Sequence, residues 1–269
     1  MFKFVQFVAF AIILLAVVLN SCQSFTLGDE KILPEGRTKF DDDLREFMEF
    51  VKLQMQCGYE PAGVPPLAPY HEEFAEFNVQ GGGWSLKGNL TNFLITGLNE
   101  FDIVELHWNN VLQKVTFDFK FPSVSAYSSA YKLNAITSMF GPAVGFYGNG
   151  VFSLELINLR AHGSFKLRPN LSGGLTVWGF NTKLELGSTK SKTTGIMGGS
   201  IIYNKLFNSW VEEFVNLTFE EDNSEAVSDF VEHLVVPRLN AALKNISLVE
   251  LIALIMGLAQ DVIPTEPMC

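Results

Sequence analysis

The chain has 269 residues, and its 29 acidic side chains exceed its 19 basic ones, so the formal net charge is −10. This acidic balance argues against nucleic acid or an anionic surface as the main partner. Only 18% of the residues are charged while 24 are Phe, so a large aromatic surface must be buried in a core or must line a ligand site.

The N-terminal stretch has the organisation of a secretory signal peptide. Lys3 is its only charge, an apolar run extends from Val5 to Leu19, and small and polar residues follow up to Ser24. The run is short for a membrane span. We therefore predict a signal peptide at residues 1–24 and one secreted domain at 25–269. The alternatives are an uncleaved anchor and, from the sequence around Cys22, a bacterial lipoprotein site.

Cysteines are sparse after such a cleavage, since only Cys57 and Cys269 remain. A disulfide between them would tie the first helix to the C-terminus, and free thiols are the alternative. Neither residue has the spacing of a metal site.

The first predicted element is a short amphipathic helix that ends near Gly58. Asp41, Asp42 and Asp43 favour a helix N-terminus and are interpreted as a cap and a solvated face. Apolar residues follow at three- and four-residue spacing, namely Leu44, Phe47, Met48, Val51 and Met55. The proline-rich stretch up to Pro69 then predicts a connector from helix to sheet.

From Phe74 onward the apolar period becomes two, which is typical of strands. The first strands are predicted at 74–80, 84–98 and 111–121, with Pro122 ending the third and 124–133 forming its antiparallel successor. Residues 140–150 are predicted as a bend or hairpin. Further alternation predicts strands at 152–156, 165–167, 178–186 and 196–203. We expect a curved meander in which Gly88 and Gly179 mark bulges or bends.

The C-terminal part is predicted to be helical. Residues 206–219 form a helical or turn-rich entry, and a long helix covers 222–258, with Asp222 as N-cap and Glu225 completing a capping box. Pro237 should kink or break this helix. The apolar run 246–258 contains Glu250 and is too short for a stable membrane anchor. The predicted fold class is α+β, with the sheet wrapped around the long helix and a shorter amphipathic helix at the N-terminus.

Several short motifs are similar to those of a known family. They are Gln56-Cys57-Gly58 followed by Gly63-Val64-Pro65-Pro66-Leu67-Ala68-Pro69, the strand from Gly88-Asn89-Leu90 to Ile95-Thr96-Gly97-Leu98, and Leu206-Phe207-Asn208 before the last helix. Over residues 35 to 258 the chain resembles insect takeout and haemolymph juvenile hormone binding proteins. It also resembles mite group-7 allergens, which share the superfamily of tubular lipid-binding (TULIP-like) proteins.

This resemblance implies a long helix enclosed by a strongly curved antiparallel sheet, with an apolar tunnel for a lipid or terpenoid. The chain departs from takeout and the hormone carriers in one respect. Those proteins have two cysteines near the N-terminus that close a small loop, whereas only Cys57 lies in that region here. The departure favours the group-7-like branch and weakens the inference that juvenile hormone itself is the ligand.

The candidate ligand-binding residues are apolar or aromatic and are expected to face the space between sheet and helix. Plain core packing is the alternative for each of them, and Tyr127, Tyr131, Tyr147 and Asn181 are candidate polar anchors. The predicted lining consists of Phe117, Phe119, Phe121, Tyr147, Phe152, Leu154, Leu156, Trp178, Phe180, Phe230 and Leu234.

No catalytic or metal-binding constellation is predicted, because the four histidines are scattered and no nucleophile elbow occurs. No cofactor is expected. Asn89, Asn170, Asn216 and Asn245 each begin a glycosylation sequon, with Asn245 predicted to lie in the helix. The sequence thus favours a secreted carrier of a terpenoid, fatty acid or similar apolar ligand. The alternative is an extracellular innate-immunity or surface-recognition protein that binds bacterial or membrane lipid.

Overall fold

The computed structural model describes residues 38–58, 65–81, 83–138, 142–220 and 224–260, together with 267 and 269. The predicted signal peptide and the predicted cap Asp222 lie outside these residues. The chain order of the elements is α1 (Lys39–Gln54), β1 (Tyr70–Gly81), β2 (Trp84–Thr96), β3 (Asp102–Asn109), β4 (Lys114–Thr137), β5 (Val144–Pro169), β6 (Leu175–Ser191), α2 (Ile201–Thr218), α3 (Ser224–Leu243) and α4 (Leu248–Gln260).

All six strands belong to one antiparallel sheet built around two very long strands. β4 has 24 residues and β5 has 26. The order along the sheet is β1-β2-β4-β5-β6, and β3 also pairs with β4. β2 pairs with residues 125–137 of β4, whereas β3 pairs with residues 114–120, so β2 and β3 share one edge of β4. The predicted strands at 111–121 and 124–133 are therefore one strand, and β3 was not predicted.

Pro122 does not end β4, contrary to the sequence prediction. The pairing explains why, because β3 begins at Asp102 opposite Lys120, β2 ends at Thr96 opposite Ser125, and the register with β5 also passes over Pro122. The proline thus sits where no neighbouring strand needs its missing amide. Strand alternation changes phase here, since Phe121 and Val124 both face the core.

The glycines act in two different ways. Gly179 has a φ of +62° and lies where the β5–β6 register shifts between Ser164 and Lys166, which confirms the predicted bulge. Gly88 lies in regular pairing instead. A Cβ atom there would approach the Lys132 carbonyl oxygen far within van der Waals contact, so close backbone approach requires this glycine.

Residues 196–203 do not form the predicted strand. Ile196 makes an isolated bridge to Gly148, and Gly198 and Gly199 adopt φ values of +78° and +86° before α2 begins. Extended backbone cannot continue through two such residues. The bend or hairpin predicted at 140–150 corresponds to the hairpin of β4 and β5, but β5 already begins at Val144. Val111, which was predicted as the first residue of a strand, lies in the β3–β4 turn.

The predicted long helix is two helices, α3 and α4, whose axes meet at 91°. Pro237 lies inside α3 and does not break it. The break falls at 244–247, where the Ser247 hydroxyl accepts from the Glu250 amide and the Glu250 carboxylate accepts from the Ser247 amide. This is a capping box that starts α4, and its Ser-x-x-Glu pattern was present in the sequence.

The helices cover the sheet in distinct places: α3 and α2 pack on β6, while α1 packs on α4 and β3. Polar side chains at four-residue spacing on α2 hold the edge of β6 and the segment after it. The Asn208 amide oxygen accepts from the Thr193 amide at 2.7 Å, and the Glu212 carboxylate accepts from the Ser191 amide at 2.7 Å. An otherwise open sheet edge is thereby satisfied.

Candidate ligand-binding site

An apolar pocket lies at the end of the molecule where α1, α4 and the start of β4 meet. The space free of protein atoms there is about 520 Å³ when the adjoining open solvent is counted, so the pocket is a partly open groove. Its lining is contributed by both helices, by the end of α3 and by three strands. These residues are Phe40, Leu44, Phe47, Trp108, Val115, Phe165, Leu167, Leu239, Leu243, Leu248, Leu251, Ile252 and Ile255.

The helical parts of this lining follow directly from side-chain periodicity. On α1 the lining residues Phe40, Leu44 and Phe47 are spaced by four and three residues, so they lie on one face. On α4 the same spacing brings Leu248, Leu251, Ile252 and Ile255 to one face. The break between α3 and α4 turns this face across the end of the sheet, which creates the pocket.

A buried carboxylate fixes α1 against β3 beside the pocket. Asp41 is only 1% exposed. Its Oδ1 accepts from the Trp108 amide at 2.8 Å, and its Oδ2 accepts from the Thr38 amide at 3.0 Å and lies 3.0 Å from His107 Nδ1. The Arg45 guanidinium donates to the Ile103 carbonyl at 2.8 Å and ties the next turn of α1 to the same strand.

Two opposing effects act on the Asp41 carboxyl. Burial alone would raise its pKa, but the hydrogen bonds from the Trp108 and Thr38 amides, with those of His107 and the Thr38 hydroxyl, outweigh burial and hold the pKa below its ordinary value. Asp41 is therefore an anionic anchor for the pocket wall, since its neighbours Phe40 and Trp108 both line the pocket.

None of the predicted ligand-binding residues whose side chains are described lines this pocket. Six of them, Phe117, Phe119, Phe121, Leu154, Leu156 and Phe180, are buried in the main core, and Phe152 packs partly buried against it. Their rings contact one another: the centroids of Phe117 and Phe119 are 5.5 Å apart, and Phe101 lies 5.1 Å from Phe119. These side chains pack in the core, and their role in ligand binding stays a prediction.

Tyr147 and Trp178 are placed on the outside of the sheet, with exposed fractions of 56% and 52%. The Arg168 guanidinium lies 3.6 Å from the centroid of the Trp178 ring, so this indole makes a cation–π contact instead of facing the interior. The side chains of Phe230 and Leu234 lie outside the described part of the structure.

The candidate polar anchors are not gathered at the pocket either. Tyr131 is buried, but its hydroxyl donates to the Thr194 carbonyl at 2.6 Å, and burial raises its pKa to about 12. Tyr127 and Asn181 are exposed. The lining found here was missed because apolar alternation identifies a buried face without showing which part of it faces another helix across a gap.

Three further observations concern metal binding, the disulfide and membrane crossing. In the described residues no group of three His, Cys, Asp or Glu side chains could hold a metal ion. Cys57 and Cys269 are joined by a disulfide with Cα atoms 5.1 Å apart. Among the described helices none is long and apolar enough by itself to cross a membrane, although α3 and α4 together pass that test as a bent pair.

The fold and pocket define a helix-and-curved-sheet protein with an apolar site, and comparison with known proteins identifies the family. The family model for haemolymph juvenile hormone binding protein matches residues 12–253. The chain therefore belongs to that family.

A solved structure supports the fold. Takeout 1 from Epiphyas postvittana matches with a TM-score of 0.54 at 13% identity, covering 78% of this chain and 96% of that one. A lipopolysaccharide binding protein matches at 11% identity over 73% of this chain and 38% of that one, with a TM-score of 0.33. No curated protein sequence matches the chain significantly.

Proposed function

We propose that this protein is a secreted carrier that binds one apolar small molecule, such as a terpenoid or fatty acid, in the pocket between α1, α4 and the sheet. The observation that carries this proposal is the lining, in which all thirteen side chains are apolar or aromatic and none is charged. Apolar ligand sites are built from such residues. The family's description as juvenile hormone binding supports the ligand class, and the family's haemolymph name supports secretion.

Burial alone accounts for useful affinity in such a site. Each methylene group removed from water contributes roughly 0.8 kcal/mol, so a chain of several carbons needs no charged partner. We propose binding without covalent chemistry, and the ligand lies against α4 at its first turns. Because much of the pocket is open to solvent, a ligand can reach it without crossing the packed core of Phe117 and Phe119.

The proposal is tested with two lysine substitutions on α4, one at a residue that lines the pocket and one at an exposed residue. Ile252 lines the pocket, while Val249 is 77% exposed on the same helix. We expect Ile252→Lys to weaken uptake of a fluorescent fatty acid or terpenoid probe at least tenfold, since it places an ammonium in an apolar site. Val249→Lys should leave uptake unchanged.

Native mass spectrometry of the secreted protein, followed by organic extraction, identifies the natural ligand. A stoichiometric apolar compound is expected. A protein that carries no such compound and takes up neither probe would contradict the carrier function, as would equal probe uptake by the two α4 variants with unchanged circular dichroism.

A further inference from the structure

The opposite end of the molecule carries an unusual exposed apolar surface. Its residues come from the end of β4, the start of β5 and the first two turns of α2, and we call it the apolar tip. It consists of Ile136, Val144, Tyr147, Ile201, Ile202 and Leu206, of which Ile201 and Ile202 are 84% and 77% exposed. Exposed positions on a surface helix are ordinarily polar.

Backbone contacts bring these segments together. Ile136 pairs with Gly145 and Thr137 with Val144, which sets the two strand ends side by side. The Met197 amide donates to the Tyr147 carbonyl at 2.8 Å, and α2 starts four residues later. The tip is therefore one surface formed by three chain segments, and it lies at the far end of β4 from Val115 and the pocket.

The charges around the tip are reversed relative to the whole chain. In the segments that form this end, residues 84–96, 125–137, 144–153 and 192–206, the charged side chains are Lys87, Lys132, Lys192 and Lys205, and there is no Asp or Glu. Lys87, Lys132 and Lys205 are exposed among them. The nearest carboxylates lie just outside these segments: Glu155 is 3.9 Å from Lys190, Glu212 lies further along α2, and Glu76 is separated from Lys132 by Asn89. This end is cationic in a protein with a net charge of −10.

The start of α2 also favours negatively charged partners. Its first turn contains no acidic residue, and the N-cap Ser200 makes no side-chain hydrogen bond to the helix. The first amides of the helix therefore remain available to solvent or to an anion, beside Lys205 and next to Ile201 and Ile202.

We propose that the apolar tip docks on a phospholipid bilayer that contains anionic lipids, with the aliphatic side chains entering the headgroup region and the lysines contacting phosphates. Exposed aliphatic residues combined with nearby lysines give this mode of interfacial binding. A second copy of the chain is a poorer occupant, because tip-to-tip contact would bring the lysines of both copies together. The protein docks in this way while its pocket stays at the opposite end, so the inference does not depend on the carrier function.

The test is vesicle flotation with the full secreted protein. We compare vesicles of phosphatidylcholine alone with vesicles that also contain phosphatidylserine, at low and high salt. We expect binding to the anionic vesicles that weakens as salt rises. The double substitution Ile201→Ser with Ile202→Ser, and separately Lys205→Glu, should each lower the apparent affinity roughly tenfold.

Matched controls lie at the pocket end. Val111 and Leu112 are adjacent exposed aliphatic residues in the β3–β4 turn, and Lys244 is exposed after α3. Val111→Ser with Leu112→Ser, and Lys244→Glu, should bind vesicles as the wild type does, and all variants should keep uptake of the fluorescent probe. Absence of vesicle binding, equal losses in tip and control variants, or a dimer that the tip substitutions dissociate would each overturn the proposal.

Discussion

At the scale of single residues, the aspartate run at the start of α1 shows how tertiary contacts change what a local pattern predicts. The sequence predicted a helix cap, and the structure confirms it, since Thr38 and Asp41 form a reciprocal capping box. The prediction of a solvated face was wrong for Asp41, which is buried under β3. The Trp108 amide, 67 residues away in sequence, supplies a hydrogen bond that makes burial tolerable.

The lowered pKa of the Asp41 carboxyl predicts an acid-dependent loss of stability. A carboxyl whose pKa is lower in the folded than in the unfolded state stabilises the fold above its unfolded pKa, and the contribution is lost as pH falls through the folded pKa. We expect Asp41→Asn to lower the free energy of unfolding by about 1–3 kcal/mol at neutral pH. The difference from the wild type should shrink below about pH 4. Urea unfolding at several pH values measures both effects.

Asp42→Asn is the control for this prediction, because it removes the same charge from the first turn of α1 and leaves the contacts to Trp108 and His107 intact. Some acid dependence should persist in the Asp41 variant, since the Arg160 guanidinium also lowers the pKa of Asp118. Equal destabilisation by the two substitutions at neutral pH would show that the charge at the helix start, and not the buried contact, stabilises α1.

At the scale of elements, type was easier to predict than length. Strand alternation identified β1, β2, β4, β5 and β6 in part, but it divided β4 at Pro122 and split β5 into a glycine-rich bend or hairpin and separate strands at 152–156 and 165–167. A proline or glycine ends a strand only when a neighbour requires its amide or its regular φ, and the neighbours are set by distant parts of the chain. The helix break at 244–247 differs, because its capping box was readable locally.

The disulfide between Cys57 and Cys269 joins the end of α1 to the end of the chain across a sequence separation of 212 residues. Closing so long a loop restricts the unfolded chain strongly. We expect the double substitution Cys57→Ser with Cys269→Ser to reduce the free energy of unfolding by about 2–5 kcal/mol, measured by urea denaturation.

Cys269→Ser alone distinguishes the effect of losing the disulfide from the effect of replacing both cysteine side chains, because it removes the bond and leaves Cys57 in place. It should match the double variant. Wild-type stability in the single variant, or a free thiol in the unfolded wild-type protein without reductant, would contradict the pairing.

At the scale of the whole molecule, one polypeptide presents different chemistry at its two ends. A large core fills the middle and the pocket end, and a smaller cluster around Phe146, Phe207 and Trp210 fills the other end. Two of the sequons, at Asn170 and Asn245, lie near the pocket end, whereas Asn89 pairs with Lys132 toward the apolar tip. Asn245 lies exposed in the α3–α4 turn and not in a helix as predicted, while Asn216 is exposed on α2.

We predict glycans at Asn89, Asn216 and Asn245 and none at Asn170. The Asn170 side chain is engaged within the β5–β6 turn: its Nδ2 donates to the Lys244 carbonyl at 3.1 Å, and its Oδ1 accepts from the Ser172 and Gly174 amides, both at 2.9 Å. A sugar on Nδ2 would displace the contact to Lys244. Intact mass before and after glycosidase treatment, with peptide mapping, counts the occupied sites; an unchanged mass, or a glycan on Asn170, would contradict the prediction.

The sequence by itself determined the helical ends of the chain, five of the six strands in part, the α+β class and the family, because periodicity and short motifs are local properties of the chain. Only the tertiary structure decided which apolar residues face an open pocket. Phe117 and Phe165 both belong to apolar alternating strands and their ring centroids are 6.3 Å apart, yet Phe165 lines the pocket and Phe117 does not. Alternation places a side chain on one face of the sheet. Which helix lies opposite that face, and the gap between them, depend on the turn between α3 and α4 and on the Asp41 contacts that hold α1 to β3.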